Sequence, residues 1–83
     1  MKKLPLSLEY LHVGVIYEVE GDQFQLTTKC QRRPNTFDLV GLNGRVRGKV
    51  YKRFVFEEWI FTKYAKNIRL WAPEPVLPLE EML

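Results

Sequence analysis

Asn43-Gly44-Arg45-Val46-Arg47-Gly48-Lys49-Val50-Tyr51-Lys52-Arg53 is the stretch on which any reading of this 83-residue chain turns. It opens on Asn-Gly, a strong short-range signal for a two-residue hairpin turn, and then alternates cations with small or apolar residues. In a strand, successive side chains point to opposite faces, and same-face neighbours lie roughly 6–7 Å apart. The alternation predicts one row of Arg45, Arg47, Lys49, Tyr51 and Arg53, with Val46, Gly48 and Val50 turned to the core. With Phe37–Leu42 as the preceding strand, Phe37 meets Val50, Leu39 meets Gly48 and Gly41 meets Val46 on the inner face. On the outer face Asp38 meets Lys49, Val40 meets Arg47 and Leu42 meets Arg45. Lys52 then falls on the core side, which predicts that the strand ends or bulges there.

Upstream, residues 10–31 read as another hairpin. Val13, Val15, Tyr17 and Val19 recur at period two, as do Phe24, Leu26, Thr28 and Cys30 after Gly21-Asp22. A turn at Gly21-Asp22 pairs Val19 with Phe24, Tyr17 with Leu26, Val15 with Thr28 and Val13 with Cys30, all apolar partners on one face. Gln31–Thr36 is a loop around Pro34. Downstream, Phe56, Trp59, Ile60, Lys63, Tyr64, Asn67 and Ile68 recur at three and four, which predicts a helix over 57–66. A short strand at Ile68–Trp71 follows, and Pro73, Pro75 and Pro78 then stop regular structure.

These elements predict a mainly β fold of the small α+β kind: two hairpins curled into a five-stranded small barrel, SH3-like or OB-like, with one short helix. Residues 1–72 form the single domain and 73–83 an extended Pro-rich, acidic and apolar tail. Eighty-three residues leave no room for two ordinary cores. A single cysteine excludes an internal disulfide framework, and the N-terminal apolar runs are too short for a membrane span, so the expectation is a cytoplasmic protein with no membrane partner.

The net charge of +3 conceals a strong asymmetry. Residues 29–53 carry eight cations against Asp38 alone, while residues 1–28 come to −2 and residues 74–83 to −3. A basic middle between acidic ends seeks an anion. One His, one Cys and one Ser leave few possible nucleophile–base combinations. The hairpin register puts Cys30 inward and His12 on the other face. No glycine pattern matches a phosphate loop, and the lone His has no ligand spacing around it. The expectation is therefore no enzyme, no cofactor and no metal.

The sequence points instead to a non-catalytic nucleic-acid-binding module of low sequence specificity. Arg45, Arg47, Lys49 and Arg53 would hold DNA or RNA phosphates by displacing counterions, with Arg32 and Arg33 assisting from the loop and Tyr51 lying in the row. The alternative is a protein-binding adaptor or inhibitor, such as an accessory subunit or a phage-type host-directed product, docking the same basic face on an acidic partner. The bland reading of the row is a solvated strand whose cations keep it from pairing with other chains.

Overall fold

The computed structural model describes residues 1–73, so the expected tail lies, beyond Pro73, outside the described residues. Six strands are present among them: β1 (Lys2–Leu4), β2 (Ile16–Val19), β3 (Asp22–Lys29), β4 (Thr36–Gly41), β5 (Val50–Val55) and β6 (Ile68–Ala72). One helix, α1 (Glu58–Lys63), and two 3-10 turns, Leu8–Tyr10 and Gly44–Val46, complete the set. Every pairing is antiparallel, in the order β1-β6-β2-β3-β4-β5. The sheet is not closed: β1 and β5 are its edges. The expected five-stranded barrel is thus corrected to a six-stranded open sheet. The added strand is β1, which sits at the far end of the chain from its partner β6 and so has no local turn to announce it.

The sheet is nevertheless strongly curled. Three strand spacings would separate β2 from β5 by about 14 Å in a flat sheet, yet the rings of Tyr17 on β2 and Phe54 on β5 are 6.3 Å apart. Two bulges supply the bend. One lies between Leu26 and Thr28 of β3, the other where Lys52 and Arg53 together oppose Asp38. The expectation of a bulge near Lys52 holds, and its physical anchor is Asp38, whose Oδ1 accepts the Arg53 backbone N–H at 2.9 Å.

Inside the curl lies one core of aromatic and aliphatic side chains, with Phe56 at its centre. Its ring meets Tyr17 edge-on at 5.0 Å, Phe54 at 4.9 Å and Phe37 at 5.9 Å. Each such pair contributes roughly 0.5–1.5 kcal/mol beyond the area it buries. The helix expected over 57–66 is shorter, six residues, and could not stand alone in water. Phe61, buried against Phe56, holds it to the sheet.

The first hairpin forms with a changed register. Val19 pairs with Asp22, so the turn is Glu20-Gly21 and not Gly21-Asp22. Both turn residues have positive φ, 48° and 91°, the requirement of a type I′ turn whose twist matches the strands. Tyr17 therefore faces Phe24 in place of the expected Leu26. The slip is by two residues, so the same side chains still face the core. Val13 and Thr28 are the exceptions: Val13 lies outside β2, Thr28 follows the bulge in β3, both are exposed, and the expected pairs Val13–Cys30 and Val15–Thr28 do not form.

Candidate functional site

The connection between β4 and β5 carries three of the four cations of the predicted row, Arg45, Arg47 and Lys49, and Gly41 shapes it. A Cβ at position 41 would stand 1.8 Å from the Val46 carbonyl oxygen, so only glycine lets the loop fold back so closely over the strand. Val46 is buried there, and Gly48 donates to the Gly41 carbonyl at 2.9 Å from a left-handed conformation (φ 79°). Asn43 and Gly44 do not form the two-residue turn expected of them. Asn43 precedes the 3-10 turn Gly44–Val46, and its side chain ties this loop to the first hairpin. Its Oδ1 accepts the Gln23 backbone N–H at 2.9 Å, and its Nδ2 donates to the Gly21 carbonyl at 3.0 Å.

An eight-residue connection, 42–49, thus replaces the tight turn, and it breaks the predicted row. Leu39 pairs with Tyr51 and not with Gly48, an odd shift that exchanges the faces. Tyr51 turns inward and Val50 outward, the reverse of the expectation. Arg45 sits in the 3-10 turn, Arg47 ends it and Lys49 lies just before β5. Arg53 occupies the bulge at φ 53°. The expected Asp38–Lys49 pair is absent. Asp38 instead faces Lys52, whose Nζ is 3.8 Å from Oδ2.

What survives is a track along one side of the sheet. Arg32 and Arg33 lie in the loop leading into β4, Lys52 and Arg53 lie opposite Asp38, and Lys49, Arg47 and Arg45 lie at the far end. Six-residue strands make this track roughly 20 Å long. Arg32, Arg33, Arg47, Lys49 and Arg53 are exposed, and among the described residues no carboxylate forms an ion pair with their side chains. Arg45 differs. Its Nε and a terminal nitrogen reach Asp22 Oδ2 at 3.3 and 2.9 Å, though its side chain stays 82% exposed. That hydrogen bond raises the guanidinium pKa further, which keeps Arg45 cationic.

The odd shift has a second result. Tyr51 joins Tyr17, Phe24 and Phe54, with Val19, Leu39 and Asp22, around an open hollow of about 320 Å³ on the inner face. Phe24 meets Tyr51 edge-on at 5.4 Å and Tyr17 at 6.4 Å. Burial raises the Tyr17 phenol above its ordinary pKa of 10.0. The hollow is invisible in the sequence because period-two alternation marks Tyr17 and Phe24 as core without saying that a gap stays open between them. The one signal for it is the number of large rings in so short a chain.

Among the other large rings, Trp59 is 54% exposed on α1, with its indole N–H donating to Glu57 Oε2 and Lys63 Nζ 6.0 Å from the ring. Trp71 is half-buried in β6, its indole nitrogen without an acceptor among the described residues, and Tyr10 packs against the core. No helix among the described residues is long and apolar enough to cross a membrane. No group of three or more His, Cys, Asp or Glu among them is placed to hold a metal ion. Compared with protein-family models, with curated proteins and with solved structures, the chain matches none.

Proposed function

We propose that this protein is a small non-catalytic module that binds the phosphate backbone of a nucleic acid along the β4–β5 side of its sheet. One observation carries the reading: five exposed cations, Arg32, Arg33, Arg47, Lys49 and Arg53, line a roughly 20 Å track without carboxylate partners among the described residues. Unpaired cations release phosphate counterions on binding, whereas those already held by carboxylates contribute less. On this reading the curled sheet serves as an open counterpart of an SH3-like or OB-like barrel, and base sequence matters little because the contacts are to backbone.

The test is the salt dependence of binding to a mixed-sequence oligonucleotide. The triple variant Arg33→Gln, Arg47→Gln, Lys49→Gln should bind more weakly. Its slope of log K against log salt should fall by about 2–3, at roughly 0.7–0.9 for each phosphate left unneutralised. An unchanged slope would sink the proposal.

A second reading, an acidic protein partner, is favoured by β5 itself. This edge strand exposes Val50 and Val55 beside the cations, which suits an added strand from another chain. A stoichiometric protein that stays bound after nuclease treatment, and no longer binds the same triple variant, would favour it.

A further inference from the structure

We infer that the aromatic hollow receives one unpaired nucleobase, which makes the preferred ligand a single strand. The inference rests on the phosphate-track reading above. Four of the seven residues around the hollow are aromatic, and two more, Val19 and Leu39, are aliphatic. Its size of about 320 Å³ lies at the small end of ligand sites, enough for a flat ring system and too little for a duplex edge. Phe54 is 36% exposed, and Phe24 and Tyr51 are only half-buried, so ring surface remains open to a stacking partner.

The rim selects among possible occupants. Among the described residues Asp22 is the only charged group lining the hollow, and Arg45 already holds it at 2.9 Å. A cationic guest such as a methylated ammonium would meet a carboxylate that is already neutralised, and an arginine beside it. A neutral aliphatic side chain would leave that ion pair without a role. A base carrying its own phosphate fits both features: the ring enters the hollow while the guanidinium, with two of its five N–H donors turned to Asp22, offers the others outward. Arg47 and Lys49 follow Arg45 in the chain, so the strand leaving the hollow runs onto the cation track. Bases within a duplex are stacked and paired and cannot enter without being extruded.

The experiment compares four fluorescent 12-mers on the full chain at low salt: a single-stranded DNA, the RNA of the same sequence, the DNA duplex, and an abasic strand with the same phosphates. The base-bearing single strands should bind more tightly than the duplex or the abasic strand. Phe54→Leu and Tyr51→Leu, which keep apolar bulk but remove a ring, should each weaken base-bearing strands about five- to hundred-fold. Both variants should leave the abasic strand within about twofold of its original affinity, and Phe54→Trp should retain tight binding. Having two ring variants and a rescue separates loss of stacking from loss of fold. Equal binding of abasic and base-bearing strands overturns the base site and leaves the phosphate track standing. Absence of binding to all four overturns the track, and the base site with it.

Discussion

The hairpins β2–β3 and β4–β5 are both antiparallel and adjacent in one sheet, yet they are closed by different physics. The first turns on two residues, Glu20 and Gly21, whose own positive φ values suit a type I′ turn. The second takes eight residues, and its loop is held by interactions outside the hairpin: Val46 buried over Gly41, and Asn43 bonded to Gly21 and Gln23. A self-contained turn fixes its own register. A loop anchored on neighbouring elements takes the register those elements allow.

Substituting one glycine on each side is the strongest way to break this contrast. In Gly41→Ala the new methyl would overlap the Val46 carbonyl, which is backbone and has no rotamer to yield. A loss of about 3 kcal/mol or more is expected, a large share of the stability of so small a domain. In Gly21→Ala nothing lies within 4 Å of the added carbon, and the strain comes only from φ 91°. The expected loss there is about 1–2 kcal/mol. Urea unfolding of both variants makes the measurement, and equal losses would show that Val46 does not pin the second loop.

The same contrast explains what could be read from the residues and what could not. Alternation in Val15–Val19 and Phe24–Leu26 places the right side chains inward even though the turn lies one residue earlier than Gly21-Asp22 suggests. Moving a two-residue turn by one position shifts register by two, and faces are preserved. In Arg45–Arg53 the alternation is equally clean, but three of its cations lie in a folded-back loop. The anchors responsible, Gly41 with Val46 and Asn43 with Gln23, are tertiary interactions that no period of hydrophobicity encodes. The cations of the candidate track could be named from composition, whereas their arrangement and the hollow beside them could not.

Asn43→Ala probes the link between the two hairpins directly. It removes two hydrogen bonds and leaves the Gln23 N–H and the Gly21 carbonyl without these partners. A loss of about 1–2 kcal/mol is expected, with faster hydrogen exchange at Gln23. If exchange there is unchanged, the second loop does not depend on the first turn. A smaller effect of opposite sign should come from Glu20→Asn, since Asn tolerates the left-handed conformation that Glu20 holds at φ 48°. A gain of about 0.5–1 kcal/mol in the same urea assay is expected, and a loss would mean that Glu20 contributes something its backbone geometry does not reveal.

Tyr17 is where the two hairpins meet, its β2 ring reaching Phe54 on β5. At neutral pH Tyr17→Phe should change stability by less than about 0.5 kcal/mol, because the hydroxyl has no protein partner among the described residues. The difference should emerge in alkali. Burial disfavours the tyrosinate, so the folded-state pKa lies above the ordinary 10.0 of the unfolded chain. The unfolded state gives up its proton first, and stability that is complete below pH 10.0 is lost as pH rises through the folded value. Tyr17→Phe removes this contribution, so its stability should fall less steeply than the wild type's above that pH. Parallel curves would mean that the curled sheet opens at the hollow before Tyr17 ionises, and that β2 and β5 are joined more loosely than their ring contact implies.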